Sequence, residues 1–253
     1  MAELILLGSG AALTDGSREP TQLALVGEHS TVLVDCGANP LRQLQRAGVP
    51  LASVERLFLT HSHPDHIAGF PLLMEMLWLS GRRHPLPVHG PADALDVARR
   101  VFAQWDTRRW TGLPEIHWHE VPPEPGVEVA VGTDFRLTAA PGVHSVPVIA
   151  IRAEDLTSGG SLVYGADGEA SPGVLALARG CDLLVLEATG HHPGHSTAAA
   201  SAALAAEARA RRLVLVHLAP SENDLETQRR EAKALFSGPV HLDADLDRFV
   251  FCL

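Results

Sequence analysis

Cysteine, lysine and long apolar runs are what this chain has little of. Its three cysteines, Cys36, Cys181 and Cys252, are far apart and odd in number. They cannot make a disulfide framework or a C-x-x-C site. Lys233 is the only lysine among 20 basic residues, a compositional bias that carries no functional weight. No apolar run approaches the roughly 20 residues that span a bilayer. The start, Met1 to Leu7, lacks a basic region and reads as a strand, not a signal peptide. No membrane partner and a cytoplasmic location are therefore expected. Positive charge is not in excess either. A net charge of −10 argues against broad electrostatic binding to nucleic acid. No fixed-period repeat, low-complexity segment or linker interrupts the chain.

What is present suits an ordinary globular protein: 253 residues, 46% hydrophobic and 20% charged, enough for a full core. One domain over residues 1–253 is expected. Early hairpins are predicted at 22–26/31–34, then at 127–131/135–140 and 148–153/161–165. Apolar strands are predicted at 54–59, 86–89, 183–187 and 213–217. Helices are predicted at 40–47, 70–79, 91–104, 172–178, 196–210 and 225–236. Such an interspersed order predicts sheets packed between helical layers.

The chemistry concentrates in Thr60-His61-Ser62-His63-Pro64-Asp65-His66, between a predicted strand and a predicted helix. Residues two apart on extended chain point to one side, which directs His61 and His63 to one point. Pro64 keeps His63 out of the helical region. Asp65 and His66 follow the turn and face elsewhere, so two adjacent metals are favoured over one. Four such groups would be costly to desolvate without a cation, and nitrogen and oxygen donors favour zinc. His144, Asp167 and His217 also end apolar strands or lie just beyond them.

With these residues the chain resembles the metallo-β-lactamase superfamily. His61, His63, Asp65 and His66 match its H-x-H-x-D-H signature. His144, Asp167 and His217 match its later His, bridging Asp and last His, and Asp35 its early structural Asp. The resemblance implies an α/β fold, a four-layer αββα sandwich with the site at one edge of two sheets. It implies two zinc ions, with manganese or iron as alternatives. His61, His63 and His144 would hold one; Asp65, His66 and His217 would hold the other, with Asp167 bridging. It further implies a metal-bridging hydroxide as nucleophile, to which Asp65 contributes, and a small anionic substrate.

Glu187-Ala188-Thr189 and His195-Ser196-Thr197 resemble the ribonuclease Z-like branch. There the carboxylate and His lie near the metals. Phosphodiester cleavage expels an alkoxide that needs a proton, and a His beside a carboxylate stays protonated at neutral pH. His195 is expected as that acid and Glu187 as its orienter, with His191 and His192 as alternatives. Members that process tRNA carry a long arm between the third motif and the bridging Asp. Here 22 residues separate His144 from Asp167, so tRNA is not an expected partner, and small-substrate phosphodiesterases of the branch are the better match. A ribonuclease Z-type tRNA 3′ endonuclease, a thioester or lactone hydrolase, and an iron-dependent redox protein are the competing readings. A homodimer is implied by resemblance alone.

Other features carry less. Gly8-Ser9-Gly10 lacks the third glycine of a dinucleotide fingerprint, since position 13 is Leu. Asp243, Asp245 and Asp247 resemble half a calcium loop and read as a solvated turn. Among the tryptophans, Trp110 is the best candidate substrate stacker. Arg18, Arg82 and Arg83 are loop arginines with the chemistry to bind phosphate.

Overall fold

In the computed structural model, residues 2–13, 16–220, 225–242 and 244–251 are described. Among these residues, fourteen strands form two seven-stranded sheets. The first contains β1 (Glu3–Gly8), β2 (Gln22–Val26), β3 (Thr31–Val34), β4 (Val54–Phe58), β5 (Leu86–Gly90), β6 (Ile116–Glu120) and β14 (Arg248–Val250), in the order β14-β1-β2-β3-β4-β5-β6. The second contains β7 (Val127–Val131), β8 (Phe135–Pro141), β9 (Ile149–Asp155), β10 (Ser161–Tyr164), β11 (Leu183–Glu187), β12 (Leu213–Val216) and β13 (Val240–His241), in the order β13-β12-β11-β10-β9-β8-β7.

Period-two alternation decides which side chains meet between the sheets. Leu4 and Leu6 of β1 point inward, against Ile151, Tyr164, Val185 and Val216 of the second sheet. Ile5 and Leu7 point outward, under α1 (Pro40–Arg46), α3 (Phe70–Leu79) and α4 (Ala92–Phe102). The second sheet's outer face is covered by α5 (Pro172–Ala178), α6 (Ala198–Ala208) and α7 (Leu225–Leu235). The result is the four-layer αββα sandwich. Central strands are buried on both faces, so Leu183–Glu187 and Leu213–Val216 are continuous apolar runs except for Glu187 at the site end.

Strands β3 to β6 run parallel, as do β10 to β13. The C-terminal ends of β3, β4, β8, β10, β11 and β12, with the turns that follow them, carry the chemistry-bearing residues. Three strand ends turn through the left-handed region on non-glycine residues: Asp35 (φ 62°), Ala166 (φ 58°) and His217 (φ 54°). Each carries strain of about 1–3 kcal/mol that the surrounding packing holds in place. After β4, α2 (Pro64–Ile67) starts with Pro64 at its first position and His63 extended at ψ 149°. Gly37 passes directly beneath this turn; a Cβ there would lie 1.5 Å from the Asp65 carbonyl oxygen.

Predicted elements and observed ones differ mostly by one or two terminal residues. Strand β13 was not expected, being only two residues long. Helix α6 is shorter than its alanine-rich run, starting after Thr197, whose hydroxyl accepts from the Ala200 N–H. The closing strand covers Arg248–Val250; Cys252 lies outside the described residues.

Candidate metal centre

Asp35 organises the site from below. Its buried carboxylate accepts from the Thr60 N–H and from the Thr60 hydroxyl, both at 2.8 Å, and from His66 Nδ1–H at 2.8 Å. Because the Thr60 hydroxyl donates to Asp35, it accepts from His61 Nδ1–H at 3.0 Å. These bonds assign the tautomers of His61 and His66, leaving Nε2 of both as lone pairs. The Gly194 carbonyl accepts from His144 Nδ1–H at 2.6 Å, with the same consequence.

His63 enters with its other nitrogen. Its Nδ1 lies 3.1 Å from His61 Nε2 and 3.1 Å from His144 Nε2, while its Nε2 lies 3.3 Å from Ser145 Oγ. With Nε2–H donating to Ser145, three nitrogen lone pairs face one point with no proton between them.

Beside this group lies a second. Asp65 Oδ2 is 3.5 Å from His66 Nε2 and 3.3 Å from His217 Nε2. Asp167 Oδ2 is 3.4 Å from His66 Nε2, 3.1 Å from His217 Nε2 and 4.0 Å from His61 Nε2, so it faces both groups. Within each group the donor atoms lie inside 4.8 Å of one another. His66 Nε2 and Asp167 Oδ1 are buried without a hydrogen-bond partner among the described residues. Such orphaned acceptors are rare unless something else satisfies them. The donor set therefore fits two divalent cations: three imidazoles for one, two imidazoles and a carboxylate for the other, and Asp167 between.

Electrostatics favour His61 and Asp65 as donors. Burial pushes the His61 imidazole down to about 2, so it is neutral and able to donate a lone pair. Burial would raise the Asp65 carboxyl, but the His217 and His66 imidazoles that face it outweigh this and hold it at about 2.

Glu187 and His195 stand alongside. His195 Nδ1–H donates to Glu187 Oε1 at 2.9 Å. That bond raises the imidazole above its ordinary value, against the opposing effect of burial. His195 stacks on His217 at 5.6 Å and meets His144 edge-on at 4.8 Å. His191 and His192 are exposed on the same loop, and the ring bonded to Glu187 is that of His195. The other carboxylate oxygen accepts from the Thr189 hydroxyl, which itself accepts from His217 Nδ1–H at 2.7 Å.

Sequence reasoning missed this hydroxyl, and also Thr60 and the Gly194 carbonyl. The only signal was position: Thr60 and Thr189 follow strands β4 and β11 at the site end. Several lesser expectations are corrected. Trp110 stacks on Trp78 at 4.9 Å, so a ring face is covered and not offered to a substrate. Arg82 is buried and donates to the Val54, His84 and Pro85 carbonyls. Arg83 donates to the Trp78 and Arg82 carbonyls, and Arg18 to Ser9 Oγ. Asp245 is no mere solvated turn: it accepts from Ser9 Oγ at 2.8 Å and the Glu19 N–H at 2.7 Å. Asp247 accepts from the Ala244 N–H, and Asp243 lies outside the described residues.

Residues 30–218 match the family described as Beta-lactamase superfamily domain. The ribonuclease Z of a Bradyrhizobium species is 31% identical over 304 aligned positions, covering 98% of this chain and 99% of that protein. That alignment is longer than this chain, so the relative has segments without a counterpart here. The metallo-β-lactamase fold protein YhfI from Bacillus subtilis superposes with a TM-score of 0.83 at 22% identity, covering 98% of each chain. A diphosphatase from the PhnP family superposes with a TM-score of 0.77 at 22% identity, covering all of both chains.

Proposed function

The chain belongs to the β-lactamase superfamily, in its ribonuclease Z-like branch, and on that footing we propose that it is a dinuclear metal-dependent phosphodiesterase for small or cyclic phosphodiesters. Zinc is the proposed metal, on the chemistry of the donors. His61, His63 and His144 would hold one ion, and Asp65, His66 and His217 the other, with Asp167 shared. Such a pair supplies Lewis acidity at the phosphoryl oxygens and a water of lowered pKa.

The chain's own residues do the rest. Asp35, Thr60, Gly194 and Thr189 fix the tautomers of four imidazoles and so keep the donor nitrogens turned inward. Hydrolysis joins a water oxygen to phosphorus and breaks the bond to the leaving oxygen, which takes the electron pair. His195 Nε2–H gives its proton to that oxygen, while Glu187 holds Nδ1 and stabilises the cationic ring beforehand.

The Glu187–His195 pair carries the choice of reaction. Thioesters expel a thiolate and lactones a tethered alcohol, and neither strictly needs a separate acid on this side of the centre. The 22 residues between His144 and Asp167 make up little more than β9, β10 and their turns, which supports small substrates over tRNA. The test is an activity panel on metal-replete protein, with an aryl phosphodiester, a cyclic nucleotide, a thioester, a lactone and a precursor tRNA. Turnover of the diesters is expected. A thioester or lactone turned over with no diester activity would overturn the proposal.

A further inference from the structure

A groove runs away from His195 between α5 and α6. It starts as a cavity of about 600 Å³ walled by Glu169, His191, His192 and His195. Ala170 and Ala200 also wall a second cavity of about 430 Å³, so the two adjoin. The second is lined mainly by apolar residues, Pro172, Leu175, Ala203 and Leu204 among them. Its volume suits a ring-sized group. Ala200 and Ala203 keep it open, because any larger side chain at these positions of α6 would project into it.

Charge narrows the occupant. No lysine or arginine lines either cavity among the described residues, while Glu169 stands at the site end and Glu207 at the far end. Glu169 is held in place, accepting from the Gly194 N–H at 3.0 Å. A second phosphate in this groove, beyond the reach of His195, would meet two carboxylates and neither lysine nor arginine.

We infer that the α5–α6 groove is the subsite for the leaving alcohol, and that it selects an uncharged, ring-bearing alcohol over one that carries further phosphate. This rests on the phosphodiesterase reading. If His195 protonates the leaving oxygen, the departing group lies on the His195 side of phosphorus, and His195 is the residue that the first cavity shares with the candidate centre. A nucleoside or aryl alcohol satisfies both the apolar wall and the charge; the end of a polynucleotide does not.

Three diesters with the same retained phosphoryl group and matched leaving-group acidity separate the alternatives: a small aliphatic alcohol, a ring-bearing alcohol, and that ring-bearing alcohol with a phosphate attached. The ring-bearing diester is expected to exceed both others in kcat/KM by about tenfold or more, the usual scale of pocket discrimination. Ala203→Trp fills the groove and should bring the ring-bearing diester down to the level of the small one. Glu207→Arg, at an exposed position, should raise the phosphorylated diester relative to the unphosphorylated one. Calorimetry with the free ring-bearing alcohol adds a readout independent of turnover, with binding expected to the wild type and lost in Ala203→Trp. Equal efficiency on all three diesters, or an unchanged ratio in Ala203→Trp, would overturn the subsite and leave the phosphodiesterase reading standing. Absence of turnover on every diester would overturn that reading instead.

Discussion

Glu187 Oε1 lies 2.9 Å from Nδ1 of His195, and this leaves Nε2 as the only ring nitrogen that can reach a substrate. If that nitrogen delivers a proton, its worth depends on how badly the leaving group needs one. His195→Ala should lose about 10²–10⁴-fold in rate on alkyl or nucleoside diesters, the range of a positioned acid. On an activated aryl diester the loss should be much smaller. Glu187→Ala should follow the same pattern more mildly. The ratio of losses on the two leaving groups decides the matter: equal losses, with metal content retained, would remove His195 from the acid role.

Metal content separates the two donor groups. Metal-replete wild type should carry about two ions per chain, as two-metal sites do. Asp65→Ala should carry about one and lose activity on aryl and alkyl diesters alike. Elemental analysis after loading with zinc or manganese checks this; a wild type without transition metal would defeat the functional reading.

Thr60 and Thr189 offer a test of how the imidazoles are oriented. Each hydroxyl donates to a carboxylate and accepts from an imidazole N–H. Valine keeps the shape and removes both bonds. Thr60→Val or Thr189→Val should weaken metal binding by about 10–100-fold, whereas serine should restore most of it. Competition against a chelator of known affinity measures the change, and wild-type affinity in both valine variants would refute it.

The donor set was legible because each member sits where an apolar strand stops. His61, Asp167 and His217 are polar residues directly after or close behind runs with no other reason to end in charge. The supporting hydroxyls were not legible. Thr60 and Thr189 are short β-branched residues that a strand accepts anywhere, and only the fold shows which carboxylate each one meets. Arg82 misled for a related reason: it lies between α3 and β5, yet its guanidinium turns inward onto backbone carbonyls. Strand β13 was too short for its periodicity to register.

Asp134 predicts a pH effect far from the metals. Its buried carboxylate accepts from the His29 N–H at 2.9 Å, the Ser30 N–H at 2.6 Å and the Ser30 hydroxyl at 2.7 Å, linking the β7–β8 turn to the β2–β3 turn of the other sheet. Burial would raise this carboxyl, but the Ser30 and His29 bonds hold it below its ordinary value. A carboxyl lower in the folded state than in the unfolded one stabilises above the unfolded value, about 3.9, and this contribution fades as pH falls through the folded one. Asp134→Asn should therefore cost about 1–3 kcal/mol at neutral pH, and the gap in Tm between it and wild type, both metal-free, should close below pH of about 4. A gap constant with pH would show that the charge plays no part.

Transfer RNA should bind weakly or not at all at physiological salt, given the net charge of −10 and the short link between His144 and Asp167. Any residual binding should fall steeply with added salt. Electrophoretic mobility shift with precursor tRNA measures it, and tight, specific processing would place the grip elsewhere on the molecule.

The donor residues are also ordered in time. His61, His63, Asp65 and His66 belong to the first sheet, while His144, Asp167 and His217 come from the second and reach the outside of the ribosome later. His217 is the last, with β13 and β14 still to follow. A growing chain can hold the first four residues for a long interval without being able to close either group. Completion waits until the second sheet folds onto the first, so ion capture reports on the assembled sandwich and not on either half. An ion bound across both sheets then resists their separation, because parting them would strip it of donors from one side.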